Sequence, residues 1–335
     1  MSLDSDPAEI GLLLYPGAQL AAIHGLTDLF AVASRLAKER GGAGAPIVRV
    51  SHWQPGKVGE AVERVFATHP ELPGRPCVII VPPSLGDPPE AAMAARLARW
   101  LIDRHVGGSI LCSVCAGAFL LAETGLLDGR AATTHWGHAK TLAQRYPAIR
   151  VDADKLIVED GDVITAGGLM AWIDLGLKLV DRLLGSSIML ETARFLLVDP
   201  PGREQRYYSN FSPRLRHGDE AVLKVQHWLQ AQGAREASIP AMAARAGLEE
   251  RTFLRRFRKA TGLKPTEYCQ HLRVGKAREM LEITNRTIDQ VAWDVGYEDA
   301  GAFRKVFQKV MGLSPRDYRR RFGVALAADT VADDP

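Results

Sequence analysis

The run Leu111-Cys-Ser-Val-Cys-Ala-Gly-Ala-Phe119 holds residue types suited to thiol chemistry. Apolar, strand-like character ends at Cys115, and Ala116 and Gly117 are small enough for a sharp strand-to-helix turn that lifts the Cys115 side chain above a sheet. The following helix N-terminus favours a thiolate, so the spacing predicts a Cys115 more acidic than a free thiol. It also predicts alkylation of Cys115 before Cys77, which is expected inside a strand. His135 follows a short apolar stretch, and a cysteine on an elbow with a histidine nearby could act as nucleophile and base. Trp136 beside it could wall a pocket for a cationic ligand. Cys112-x-x-Cys115 lies within the strand, which argues against a thioredoxin-like redox pair. His135-x-x-His138 has neither an HExxH helix nor a second ligand pair, so neither a metal nor a cofactor is expected.

A second chemistry lies near the C-terminus. Arg251 to Lys259 holds five basic and no acidic residues. Helical spacing there turns Phe253 and Phe257 inward and leaves Arg251, Leu254, Arg255 and Arg258 outward. Such a face suits a major groove, where arginine grips guanine edges and phosphates. Residues 214–322 hold 22 Lys and Arg against 13 Asp and Glu, a charge of +9, whereas residues 1–213 and the tail each carry −3. A basic block joined to a near-neutral one is the footprint of a nucleic-acid reader attached to something else.

The elements that must hold these residues follow from repeats and periodicity. Ile239–Gly247 reads against Ile288–Gly296 at an offset of 49. Phe253, Phe257, Gly262, Pro265 and Tyr268 recur 50 residues on as Phe303, Phe307, Gly312, Pro315 and Tyr318, so the second copy has one extra residue in its turn. Each copy is a helix, a Gly-centred turn and a second helix. Arg304, Lys305 and Lys309 hold the outward face of the second copy, and Trp293 is expected in its core. In residues 1–200, apolar runs at 10–15, 47–52, 77–81, 109–114 and 163–165 alternate with helical stretches, and Asp160-Gly161 signals a hairpin. This is the pattern of a doubly wound, mostly parallel α/β sheet followed by an all-α tandem helix-turn-helix domain.

These residues carry two resemblances. Ala243-Ala244-x-x-Gly247 through Phe257, Leu272-Arg273 with Ala277-Arg278, Val291-Ala292 with Gly296-Tyr297, and Ser314-Pro315 with Tyr318-Arg319 resemble the AraC/XylS DNA-binding domain over about residues 219–322. The resemblance implies two helix-turn-helix units joined by a helix over roughly 265–282 and entering successive major grooves about 34 Å apart. Its base-reading positions fall on Arg251, Leu254 and Arg255, and in the second unit on Gly301, Ala302, Arg304 and Lys305. There Gly301 and Ala302 leave only weak or backbone-mediated reading; Arg258 is a further DNA-binding position, and Lys309 is expected to contact phosphate.

Cys115-x-Gly117 through Arg130, Thr133-Thr-His135-Trp136, Gly167-Gly168 and the exit residues Arg203 and Gln205 resemble the PfpI-like branch of the class I glutamine amidotransferase-like superfamily, within it the GlxA-type regulators. Enzymes of that superfamily carry a carboxylate where this chain has Ala22, and a Gly-Gly that helps to form an oxyanion pocket where it has Pro82-Pro83-Ser84. Pro83 has no N–H to donate. The resemblance implies a transcriptional regulator rather than an enzyme, with Cys115, Ala116, Gly117, His135, Trp136 and Ser84 lining an effector pocket. The rival implication is a cysteine-dependent enzyme of glyoxalase, hydratase or amidase type fused to a DNA-binding domain. Implied partners are double-stranded DNA, a small-molecule effector, a second copy through the N-terminal domain, and RNA polymerase.

The expected organisation is a sensing and dimerisation domain over 1–198, a Pro/Gly-rich linker over 199–215, a DNA-binding domain over 216–323 and a disordered tail over 324–335. The 335 residues with 47% apolar and 24% charged side chains exclude collagen, coiled coil and disorder. Met1–Glu9 lacks the pattern of a secretory signal, no stretch is read as a membrane span, and four cysteines fit a reducing cytoplasm.

Overall fold

The computed structural model describes residues 7–42, 47–56, 61–88, 91–235 and 237–324. The chain divides into two compact units, Met1–Gln205 and Arg206–Pro335. Residues 325–335 of the expected tail lie outside the described residues, as do Pro89 and Glu90.

The first unit is built on a seven-stranded sheet of order β3-β2-β1-β4-β5-β9-β8. Strands β1 (Ala8–Leu13), β2 (Val48–Pro55), β4 (Val78–Val81), β5 (Ile110–Val114) and β9 (Val163–Ala166) run parallel. Their near-continuous burial matches their apolar runs, because helices cover both faces. On one face pack α1 (Leu20–Gly41), α5 (Trp172–Leu184) and α6 (Ser186–Phe195). The other takes α2 (Ala91–Val106) and the short α3 (Ala118–Ala122). Two antiparallel strands flank the parallel set: β3 (Val62–Ala67) pairs with β2, and β8 (Ile157–Asp160) closes the Asp160-Gly161 hairpin with β9. A separate pair, β6 (Ala131–Ala132) with β7 (Arg150–Val151), flanks α4 (Trp136–Arg145). The chain moves outward from β1 to β2 and then crosses to β4 on the other side. The topological switch point therefore lies between β1 and β4, beside the carboxyl end of β5.

One expectation needs correction here. By length and composition α1 is apolar enough to cross a membrane. Ile23, Leu26, Leu29, Phe30 and Ala33 are buried in the core between the sheet, α5 and α6, so its apolarity serves packing.

The second unit holds α7 (Glu220–Ala231), α8 (Ile239–Ala246), α9 (Glu250–Thr261), α10 (Pro265–Ile283), α11 (Ile288–Asp294), α12 (Ala300–Met311) and α13 (Pro315–Phe322). It has two cores, each centred on a repeated pair: Phe253 and Phe257 with Tyr268, then Phe303 and Phe307 with Tyr318. Gly247 and Gly296 turn the helix pairs at φ +64° and +86°, a region glycine enters without strain. The 19-residue α10 spans about 28 Å at 1.5 Å per residue and contributes to both cores.

Trp293, expected in the second core, is 69% exposed. Val291 and Ala292 of α11 and Val295, which caps its end, are buried, so the position between them points outward. The 199–215 stretch is divided by the boundary between the units. Gln205 is buried in the first unit, and Phe211 packs edge-on against Tyr268 in the second.

Candidate functional site

Cys115 sits at the end of β5, where the backbone turns through a three-residue 3-10 segment, Cys115–Gly117, into α3. Its φ of +53° is one of only three positive values at described non-glycine residues, the strain expected of a nucleophile-type elbow. Gly117 makes the turn fit: a Cβ there would lie 2.7 Å from the Val81 carbonyl oxygen and 2.8 Å from that of Pro82.

The sulfur is not the acidic thiol that the sequence suggests. Cys115 is 3% exposed, and burial pushes its pKa up to about 11. The backbone N–H groups of Ala116 and His135 oppose that rise without reversing it. The helix beyond the turn has only five residues, so little dipole offsets desolvation.

The His135 imidazole does other work. Gly137 N–H donates to its Nδ1 at 3.1 Å, so the ring caps α4. Its centroid lies 5.0 Å from that of Trp136 and 5.7 Å from that of His138. Burial, aided by His138, lowers its pKa and keeps the ring neutral near pH 7. The structure thus brings Cys115, Ala116, Gly117 and the His135 backbone together, while the His135 ring is engaged at α4. Thr134 completes the contact, its hydroxyl donating to the Cys115 carbonyl at 2.8 Å.

The loops after β1 and β4 close the other side. Tyr15 hydroxyl donates to Pro82 O at 2.7 Å, and Gln19 N–H donates to Pro83 O at 2.7 Å. Ser84 bridges to Ala18, and its hydroxyl is shared within its own turn with Asp87 O and Gly86 N–H, each at 3.3 Å. Ala22 is fully buried and offers no polar side-chain group. Sequence reasoning missed Tyr15, whose phenol is pushed upward by burial and by the nearby Cys115. It also missed Gln19, whose buried Oε1 has no hydrogen-bond partner among the described residues. Their only sequence signal is position, flanking Pro16-Gly17 at the carboxyl end of β1.

Gln205 fastens the exit segment. Its Nε2 donates to Thr133 Oγ1 at 3.0 Å, Thr134 O at 2.9 Å and Lys155 O at 3.0 Å, and its Oε1 accepts from Trp136 N–H at 3.1 Å. Gly167 permits this, since a Cβ there would collide with the Gln205 amide. Arg203 Nε and Nη2 donate to the two carboxylate oxygens of the buried Asp174.

In the second unit Arg251, Leu254, Arg255 and Arg258 stand exposed on α9, and none of the three arginines makes an ion pair with a described residue. Arg256 turns aside, bidentate on Asp219 at 2.8 and 2.9 Å. Lys305 and Lys309 are exposed on α12, whereas Arg304 is paired with Asp289 at 2.5 Å. The N–H groups of Gly301 and Ala302 are held by the capping Asp299 at 2.8 and 3.0 Å. The backbone donors that the sequence offers there are therefore already engaged, while Lys305 forms no ion pair with a described residue.

Residues 242–321 match the family described as Helix-turn-helix domain, and residues 75–182 match the DJ-1/PfpI family. The HTH-type transcriptional regulator GlxA of Rhizobium meliloti (strain 1021) is 27% identical over 94% of this chain and 96% of its own length. The chain is an AraC-family helix-turn-helix regulator with an N-terminal DJ-1/PfpI domain. Two regulators of Pseudomonas aeruginosa are also similar to it. ArgR is 26% identical over 96% of this chain and 97% of its own length, and CdhR is 28% identical over 75% and 74%. All three relatives of this AraC-family regulator carry the names of transcriptional regulators, not of enzymes.

The thiols of the regulator provide a direct check. Cys77 lies just before β4 and is exposed, not buried in a strand. Limiting iodoacetamide at neutral pH is expected to label Cys77 first and Cys115 only as pH approaches about 11. Peptide mass spectrometry reads the order; preferential labelling of Cys115 at pH 7 would contradict the buried-thiol geometry.

Proposed function

We propose that this regulator is ligand-responsive. In this reading, residues 1–198 sense a small metabolite and pair two copies, while residues 216–323 bind a specific duplex site in the cytoplasm and engage RNA polymerase. The observation that carries sensing over turnover is the surroundings of the Cys115 sulfur. Two backbone N–H groups face it, the His135 ring is engaged at α4, and Ala22 stands at the expected carboxylate position. A thiol held neutral, without a base or an oxyanion donor at Pro83, is a poor nucleophile.

Two features support a binding role. The buried Gln19 Oε1 has no hydrogen-bond partner among the described residues, a costly state that a ligand donor would relieve. A cleft of about 310 Å³ opens at the carboxyl ends of β1 and β2, lined by Tyr15, Leu20, Ile23, Gln54 and Met93. Open α/β sheets bind ligands at such strand ends. Cys115, Ala116, Gly117, Ser84, His135 and Trp136, the residues expected to line the effector site, are not among those lining this cleft. Occupancy must favour one of two states of the regulator for the signal to reach DNA.

The test is selection of duplexes from a random pool by the full-length chain, followed by variants on the selected site. Arg255→Ala is expected to cost about 1–3 kcal/mol and to relax preference at one base pair. Lys309→Ala is expected to weaken all sequences alike, as loss of a phosphate contact does. Failure of the pool to converge on any sequence would overturn the reading.

A further inference from the structure

A cleft of about 840 Å³ opens in the second unit where the segment Arg214–Gly218 meets α7 and the end of α9. Arg214, Arg216, Arg256 and Lys259 line it against two carboxylates, Asp219 and Glu220. Asp219 is already neutralised, since Arg256 grips both its oxygens and Val222 N–H donates to it at 3.1 Å. Arg214, Arg216 and Lys259 are exposed, and none forms an ion pair with a described residue.

The segment that carries the two arginines is fixed. The buried Gln226 donates to Arg214 O at 3.0 Å, and its Oε1 lies 2.7 Å from His217 Nε2. Asp219 N–H donates to His217 Nδ1 at 3.1 Å, and Gly218 takes φ +75° to turn into α7. These restraints act on the backbone and on His217, leaving both guanidinium groups to solvent.

Arg251, Arg255 and Lys259 are spaced by four along α9, so the base-reading stripe leads directly into the cleft. Arg251 to Lys259 is about 12 Å of helix, close to the ~12 Å width of the major groove. A helix whose first turns read bases would bring its last turn to the phosphate wall. The matched helix-turn-helix domain begins only at residue 242, so this segment lies outside it.

We propose that Arg214 and Arg216, with Lys259, form a clamp for the DNA sugar-phosphate backbone at the edge of the first major groove. The proposal rests on the DNA-binding reading and extends the contact surface to the segment of the second unit that precedes α7. The ligand chemistry is a phosphodiester; the clamp adds affinity and register without sequence information.

The experiment uses the full-length chain and a selected duplex of about 30 base pairs, long enough for two major grooves and their flanks. Each phosphate contact contributes ~0.9 to the slope of log affinity against log salt. Arg214→Ala with Arg216→Ala is therefore expected to reduce the slope by about 1.8. The preference for the selected site over unrelated DNA should be unchanged, and Arg214→Lys with Arg216→Lys should restore the slope. An unchanged slope in the alanine pair, with Arg255→Ala still weakening the site, overturns the clamp and leaves the DNA reading standing. Absence of duplex binding by the wild type overturns both. Orthophosphate is the second probe: a thermal shift lost in the alanine pair, with its DNA slope unchanged, would make the cleft a free-anion site and overturn the proposal.

Discussion

Phe257→Ala is expected to destabilise the helical unit by about 3–5 kcal/mol, the cost of removing a fully buried aromatic ring from a packed core. Phe257 is 0% exposed, and its ring centroid lies 5.3 Å from those of Phe253 and Tyr268, the latter edge-on at 90°. The loss frees α9 from α7 and α10, so DNA affinity should fall with stability. Trp293→Ala is expected to change stability by less than about 0.5 kcal/mol, because an outward ring leaves no cavity. Urea denaturation of both variants checks the pair. Equal destabilisation by the two would mean that the Trp293 ring is buried and the register of α11 is wrong.

Glu9→Ala is expected to cost the α/β unit a similar 3–5 kcal/mol, for a different reason. Glu9 of β1 and Arg49 of β2 are register partners whose side chains are only 1% and 5% exposed, with 2.9 Å between Oε2 and Nη2. Ser51 hydroxyl and Arg75 N–H also donate to the Glu9 carboxylate, while Arg49 reaches Pro7 O and Pro73 O. Removing the carboxylate leaves a buried guanidinium without its counter-charge. Replacing both partners together, as Glu9→Leu with Arg49→Met, should recover most of the loss, because the desolvation penalty disappears with the charges. A single-variant cost under about 1 kcal/mol, read by thermal melting, would mean that water reaches the pair. Strand β1 leads into Tyr15 and Gln19, so the pair also steadies the site.

What the residue order made legible were features carried by periodicity and repeat. The apolar runs of β1, β4, β5 and β9 are buried as runs, and the Gly-centred turns recur at φ values only glycine favours. The repeat even aligns Trp293 with Ala244, exposed like it, which single-position reasoning about a large aromatic overlooked. Strand β3, Val-Glu-Arg-Val-Phe-Ala, was not anticipated because an edge strand mixes polar with apolar residues and lacks a fully buried run. The elbow itself was visible in Ala116 and Gly117. The state of its thiol was not, since that depends on desolvation by neighbours distant in sequence and on a helix too short to oppose it. The direction of the His135 ring depends on a local cap at Gly137 that residue types alone do not fix.

The claim that the DJ-1/PfpI domain senses rather than catalyses is tested most directly by one comparison of purified wild type and Cys115→Ser. Both proteins are assayed against glyoxal-type and amide substrates, alongside binding to the selected duplex. The geometry around the sulfur, with its pKa near 11 and the His135 ring engaged at α4, predicts turnover by neither protein and equal duplex affinity for both. Saturable turnover by wild type that Cys115→Ser lacks would contradict the account and make the chain an enzyme with a DNA-binding domain attached.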